Sequence, residues 1–570
     1  MRCAFERAVT WMIGNTGVDD IVEPRAPAGL SLAPDATAPL VADYVRRLAT
    51  GDAAAARQGL LDALAAREER DWLECGRALV LRRDLDGAAA VFAAASDRFP
   101  DSADAQQALA GVHWQTGQPA RAEPILRALL AAHPGHVAAT FLLAKILKEQ
   151  GRTGAAEAVV RALFAYAPQP IGTTIQAIEL LDDAGRKQAA AELCESEIAR
   201  GSTDARLHAY SAMLHLQLGD FARVRERYTY ALAHDERALD WQAANGLAAA
   251  QRYKEASHPD FALFQRCLER PGLGDRARAS LLFALGKAHD DIGDFAQAAG
   301  YFREANRVVA SFAEWPRKNF RRMVAARLDA KPLAGRSALA PDFVPVFIVG
   351  MPRSGSTLVA ELLSRHPDVR QRGELPWLPV VAERLSANAR PTAEALGRLA
   401  STYLAQLRLD DALARFYLDK QPLNFLHLDA IAALLPNARV IYCERGERDT
   451  ALSIWTQYFA GAEHNFAYDF ADIATVMQAC PRLIASARKR GAPPIHTVRY
   501  ERLVTATDEC LGELADWLGL GELDATARDG STRAISTASL WQVRQPIYTR
   551  SVGRWRAYAP HVPELMRFPE

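Results

Sequence analysis

The sequence predicts two architectures in one chain, an α-helical solenoid followed by a P-loop-like α/β domain with a parallel sheet. Three observations carry this. Gly117, Gly151, Gly185 and Gly219 recur with a period of 34 residues. Residues 36–330 are alanine-rich and helical in period, with almost no strand signal. Residues 346–357, VFIVGMPRSGST, pass from a β-branched apolar run through a glycine loop into a helical pattern.

In the first half, each recurring glycine falls where a turn between two helices needs a left-handed backbone. Pro100, Pro134 and Pro168 keep the same period and close the second helix of each pair. Ala110, Ala144 and Ala212 precede the glycines at one offset, and Ala122, Ala156 and Ala190 follow at another. Small residues there let paired helices approach closely. A later unit carries Leu285, Gly286, Gly293, Ala298, Phe302 and Ala305 out of phase, so an irregular pair containing HPDFALFQRC is expected between. The pattern resembles tetratricopeptide repeats, whose concave face usually binds a polypeptide. A purely stiffening scaffold is the alternative. The expected divisions are a leader over 1–35, repeats over 36–330, a Pro/Ala/Gly-rich linker over 331–345 and the α/β domain over 346–570.

Composition excludes several classes. Lys plus Arg equals Asp plus Glu at 68 each, so no net field recruits nucleic acid or a membrane surface. The seven cysteines stand singly, which reads as reduced thiols rather than a disulfide or zinc framework. No apolar run is long enough to span a bilayer, and the first residues do not read as a secretory signal. A cytoplasmic protein without a metal is expected.

In the second half, FYLDK (416–420), ARVIYCER (438–445) and IHTVRYE (495–501) are strands separated by helices, which implies a doubly wound sheet. Ligands of such sheets gather at the carboxyl ends of the strands, where Arg353, Lys420, Arg445 and Tyr500 fall, with Glu374 in a loop nearby. Gly350 and Gly355 have Walker spacing, but Ser356 stands in place of the lysine that reaches terminal phosphates. The expected ligand is a nucleotide with a compact 5′ anionic group and no γ-phosphate. A degenerate nucleoside triphosphate site is the rival.

From Val346 onward the chain resembles sulfotransferases that use 3′-phosphoadenosine 5′-phosphosulfate (PAPS), most closely the tyrosylprotein sulfotransferase branch. GMPRSGSTLVAELLSRHPDV resembles that family's 5′-phosphosulfate loop, and RVIYCERGERDTALSIW its 3′-phosphate segment. RGEL, LDKQP and TASLWQVRQP resemble three further elements, and SVGRW (551–555) a loop closing on the cofactor. The resemblance implies that Pro352, Arg353, Ser354, Gly355, Ser356 and Thr357 cradle the phosphosulfate. It implies that Arg445 and Ser453 hold the 3′-phosphate, and that Tyr500, Ser551 and Gly553 contact the nucleotide.

Sulfuryl transfer resembles phosphoryl transfer in needing position and electrostatics more than covalent help. Glu374 is then the base for the acceptor hydroxyl, Lys420 the cation on the leaving group, and Arg353 and Ser539 contacts to the moving group. Their alternatives are a helix-end charge for Glu374, a solvated lysine, ordinary ion pairing of Arg445 with Glu444, Glu447 or Asp449, and a surface arginine at 353. Trp377 and Trp455 read as core, and His366 as structural. The expected acceptor is a protein tyrosine, with a small molecule or carbohydrate as the alternative. An interaction protein with an inactive nucleotide domain is the reading from another class. Asp-Lys-Gln-Pro, where the family has Asn-Lys-Asp-Pro, changes the neighbours of the lysine.

Overall fold

The computed structural model describes residues 37–49, 51–330, 335–386, 391–459, 461–521 and 547–570. The expected leader, and residues 331–334 of the expected linker, lie outside them. Contacts divide the chain into two compact units that meet at His133 and Pro134.

The first unit is built of helix pairs. Asp52, Asp84 and Ser102 cap three of its helices by accepting from the backbone N–H of Ala55, Gly87 and Ala105 at 2.9, 2.9 and 3.0 Å. Gly117 has φ 73°, the left-handed value its turn requires. One period earlier the same conformation falls on Arg83, at φ 62°. The repeat therefore begins before the run of glycines that reveals it. Gly76 is required by packing, since a Cβ there would lie 2.3 Å from the Phe92 ring.

In the second unit the pairs continue through Val137–Glu149 and Thr153–Tyr166, Ile171–Asp183 and Lys187–Ala199, and Ala205–Leu218 and Phe221–His234. Gly151, Gly185 and Gly219 turn between them at φ 74°, 72° and 87°. Phase is then lost as expected, in a 3-10 turn at Glu236–Leu239, a short helix Ala243–Ala249 and the helix Pro259–Leu268. The late pair Asp275–Asp291 and Phe295–Phe312 turns at Gly293, φ 82°, and the helix Arg317–Asp329 follows. Among the described residues no helix is long and apolar enough to cross a membrane.

The sheet has five parallel strands: β1 (Val344–Gly350), β2 (Val369–Gln371), β3 (Phe416–Asp419), β4 (Arg439–Glu444) and β5 (Ile495–Arg499). Their order is β2-β3-β1-β4-β5. From β1 the chain goes to the edge strand β2, returns to β3 between the two, then crosses to β4 and β5 on the other side, so the switch point lies between β1 and β4. The short edge strand β2 is absent from the sequence reading.

Alternation along β1 divides its side chains between two cores. Val346 and Ile348 join Val359, Leu362 and Leu363 of the helix Ser356–Ser364 and Leu511, Leu514 and Leu518 of the helix Thr507–Leu518. Phe347 and Val349 join a larger cluster that also holds Phe283, Phe302, Val309 and Val324 from the repeat region. Phe283 stacks on Tyr458 at 5.1 Å, and the Asn306 amide donates to the Trp455 carbonyl at 3.0 Å. A second clasp lies earlier, where Asp410 accepts from the N–H of Gly154 and Ala155 at 2.8 and 2.9 Å. A Cβ at Gly151 would meet the Ala405 carbonyl oxygen at 2.1 Å. The late repeats are one wall of the sheet's core.

Phe283→Ala should remove about 3–5 kcal/mol from the stability of this unit, the cost of emptying a buried phenylalanine site. Urea denaturation checks it, and a loss under about 1 kcal/mol would show that this ring does not join array to sheet.

Candidate active site

At the end of β1 the chain passes so close to β4 that only a bare backbone fits. A Cβ on Gly350 (φ 147°) would lie 2.4 Å from the Cys443 carbonyl oxygen. The loop then places Arg353 at φ 69°, a left-handed value costly for a side-chain-bearing residue and concentrated at functional sites. Gly355 (φ 95°) caps the helix Ser356–Ser364, and a Cβ there would meet the Tyr500 ring at 2.6 Å. Pro352, Ser354 and Ser356 are buried, while Thr357 is half-buried. The Ser354 hydroxyl is a buried polar atom with no partner among the described residues.

Two half-buried guanidiniums lie against this loop. Arg353 Nε donates to Ser453 Oγ at 3.0 Å, which ties the loop to the helix Glu447–Trp455. Arg445, just past β4, donates to the carbonyls of Arg353 and Ser551 at 3.0 and 2.6 Å. Its guanidinium lies 4.7 Å from the centroid of Tyr500, and its buried Nε has no partner among the described residues. Burial, then the charge of Arg445, pushes the Arg353 guanidinium down to about 10. Burial depresses Arg445 as well. Two like charges held in low dielectric around a glycine loop are matched by an incoming anion.

The segment Ser551–Gly553 closes beside them. Asp449 accepts from the N–H of Gly553 at 2.6 Å and of Trp555 at 2.9 Å. Arg445 thus makes no ion pair with Glu444, Glu447 or Asp449 among the described contacts; its bonds go to carbonyls.

At the end of β3, Lys420 Nζ donates to Glu374 Oε1. The Lys420 side chain is 2% exposed against 29% for Glu374, so the solvated-lysine alternative fails. Lys420 N–H also donates to the Gly373 carbonyl at 2.9 Å, which fixes the two residues' segments together. Beside them Asp419 is fully buried, accepting from Tyr403 OH, from Asn424 Nδ2 at 2.9 Å and from Leu375 N–H at 3.4 Å. Burial pushes its carboxyl up to about 7.

The structure therefore brings Arg353, Arg445, Ser453, Tyr500, Ser551 and Gly553 to one pocket, and Glu374 and Lys420 to the neighbouring strand end. Arg353 sits on Ser453 rather than alone over the loop. Ser539 lies outside the described residues. Trp455 is core, stacked on Phe470 at 5.1 Å, and His366 closes a turn by accepting from Asp368 N–H at 3.1 Å. Asp419 and Asp449 were missed, because an aspartate beside a strand or in a helix's first turn reads as solvated. The described residues hold no group of three or more His, Cys, Asp or Glu suited to a metal.

Fold and site define a class: an α/β domain that gathers half-buried arginines around a glycine loop, packed on helical repeats. Residues 345–524 match the model of the sulfotransferase family, and residues 79–131 and 113–178 match that of the tetratricopeptide repeat. The chain thus carries a sulfotransferase-family domain and tetratricopeptide repeats. An uncharacterized protein of Aquifex aeolicus (strain VF5) is 27% identical over 385 residues, 63% of this chain and 49% of that protein. The protein-tyrosine sulfotransferase of Drosophila melanogaster is 25% identical over 241 residues, 38% of this chain and 47% of that protein. The sulfotransferase domain from the Synechococcus PCC 7002 olefin synthase aligns with a TM-score of 0.31 at 20% identity, over 41% of this chain and 98% of that one. The chain spans about half the length of the curated relatives it matches.

Gly355→Ala should destabilise the domain by about 1–3 kcal/mol, because it forces alanine into a left-handed turn against Tyr500. Chemical denaturation reads this, and an unchanged midpoint would contradict the close approach.

Asp419 makes stability depend on pH with a definite sign. Its folded value of about 7 lies above the ordinary 3.8, so the folded state holds a proton that the unfolded state has released between those values. Its contribution is full below about pH 4 and is lost as pH rises through about 7. Asp419→Asn should therefore gain stability relative to the parent between pH 5 and 8, measured by denaturation at each pH. A constant difference would remove Asp419 as the titrating group.

Proposed function

We propose that the chain is a sulfotransferase that uses PAPS as donor and a protein tyrosine hydroxyl as acceptor, acting in the cytoplasm. The observation that carries this is the Glu374–Lys420 pair at the carboxyl end of β3, one strand from Arg353 and two from Arg445. A hydroxyl acceptor needs a carboxylate to take its proton, and the departing phosphate oxygen needs a cation; here the two are in contact.

The pocket suits a donor with two anionic ends. Arg445 Nε and the Ser354 hydroxyl are buried polar atoms awaiting partners among the described residues, and Gly350 and Gly355 leave bare backbone beside them. PAPS supplies a sulfuryl group on a 5′-phosphate and departs as adenosine 3′,5′-bisphosphate. Arg353 and the loop residues 352–357 bind its charged 5′ end, while Arg445, Ser453, Tyr500 and the strap at Ser551 and Gly553 bind the 3′-phosphate side. Glu374 Oε1 takes the acceptor's proton as the new oxygen–sulfur bond forms. Lys420 Nζ hydrogen bonds the bridging oxygen that receives the electron pair of the broken bond.

The protein-tyrosine acceptor rests on the name of the Drosophila melanogaster relative and on the repeats, since such repeats serve polypeptide binding in general. The late repeats pack on the sheet domain, so a polypeptide bound along them would be held at a fixed angle to the site rather than on a tether.

Glu374→Gln should lower kcat about 10²–10⁴-fold without weakening binding of adenosine 3′,5′-bisphosphate. Transfer of label from PAPS to tyrosine peptides, phenols and glycans, followed by mass spectrometry, tests reaction and acceptor together. Parent-like turnover of the variant would exclude Glu374 as base. Labelling of phenols or glycans alone would move the acceptor class.

A further inference from the structure

The strap 551–555 is held from three directions, and one of them is the repeat region. Arg445 reaches the Ser551 carbonyl from inside the pocket, and Asp449 takes the N–H groups of Gly553 and Trp555 from the helix Glu447–Trp455. The third tie is to Asp290, at the end of the repeat helix Asp275–Asp291. Its Oδ2 accepts from Arg554 Nη2 and its Oδ1 from the Tyr558 hydroxyl. Asp291 beside it is engaged elsewhere, by Lys287 Nζ at 2.6 Å and Tyr253 N–H at 3.0 Å. The carboxylate that faces the strap is therefore Asp290.

We propose that Asp290 is a positioning residue of the donor site: it holds Arg554 as a third guanidinium beside Arg353 and Arg445, so that the repeat region sets the pocket's affinity for a doubly charged nucleotide. The inference rests on the donor reading given above.

Arg554 lies between Gly553, whose N–H is fixed by Asp449, and Trp555, whose N–H is fixed by the same carboxylate, so its backbone has no freedom to withdraw. Its side chain does. Arg554 stands on the strap whose Ser551 carbonyl takes Arg445 at 2.6 Å, and Arg445 in turn reaches the Arg353 carbonyl at 3.0 Å, so the three cations share one stretch of hydrogen-bonded backbone. After burial, the Arg554 charge also lowers both Arg353 and Arg445. Without a counter-charge, mutual repulsion would drive Arg554 outward. Asp290 supplies that counter-charge, and Tyr558 anchors the aspartate while its ring lies 5.6 Å from the Arg554 guanidinium. The arrangement keeps a positive charge at the pocket wall before any anion arrives, which is what preorganisation requires.

The test is calorimetry on the full chain with adenosine 3′,5′-bisphosphate and with adenosine as the uncharged control. Arg554→Ala and Asp290→Asn should each weaken the bisphosphate about 10–100-fold, the effect of one charge-assisted contact, and leave adenosine unchanged. The double variant should bind no worse than Arg554→Ala alone, because Asp290 acts through that arginine. Arg554→Lys should recover part of the loss. If Asp290→Asn does not fold, Arg554→Gln probes the same contact from the other side. A parent that does not prefer the bisphosphate would overturn the donor reading and this inference with it. A parent that prefers it, with variants that bind equally well or with losses that multiply in the double variant, would overturn the inference alone.

Discussion

Burying two arginines side by side is the constraint on which the domain is organised. Arg353 and Arg445 are both depressed by burial, and the Arg445 charge lowers Arg353 further. Among the described contacts, Arg445 donates to the Arg353 and Ser551 carbonyls and Arg353 to the Ser453 hydroxyl. The surrounding features follow from that placement. Gly350 brings β1 against β4 so that the loop carries one guanidinium to the other, and Gly355 lets the next helix begin under Tyr500. Asp449 accepts from the backbone of the strap.

Much of this was legible in the sequence because it is local. The β-branched run ending at Gly350, the glycine spacing and the arginine at the end of RVIYCER each depend on a few consecutive residues. The period of 34 was legible because turn geometry imposes glycine at one position per repeat. Where another residue accepts the left-handed conformation, as Arg83 does, the period disappears from view. β2 was missed because three residues, VRQ, carry no alternation that a strand could be read from. Asp290, Asp410 and Asp419 were missed for a different reason. Each is an ordinary aspartate whose role comes from residues far away in sequence, and no local pattern distinguishes a buried or clasping carboxylate from a solvated one.

The relation between repeats and sheet belongs to the same class of non-local facts. Pro, Ala and Gly between 331 and 345 read as a linker, and of these the described residues 335–343 lie outside helix and strand. Yet Phe283, Phe302 and Val324 lie in one buried cluster with Phe347 and Val349 of β1. A parallel sheet needs both faces covered, and here one cover is drawn from the repeat array. The late repeats are therefore part of the α/β domain's interior before they are anything else, and the clasp of Asp410 on Gly154 and Ala155 ties an earlier helix pair to the same domain.

The placement of Glu374 shows how such remote ties reach the chemistry. Glu374 is carried by the segment that follows β2, the weakest strand of the sheet, and β2 pairs only with β3. Two bonds stiffen the segment where it meets the site: Lys420 N–H to the Gly373 carbonyl, and Leu375 N–H to Asp419. Asp419 is itself held by Tyr403 and Asn424, from the helix Ala393–Arg408 and the turn Pro422–His427. The aspartate that departs from the related motif is thus the residue that locks the carboxylate's segment to the lysine's strand. Tyr403 belongs to the helix whose next turn reaches the repeats, through Gln406 to the Glu149 carbonyl at 2.8 Å. The separation of Glu374 from Lys420 is consequently determined by packing on both sides of the edge strand, and the ion pair itself is only its last link.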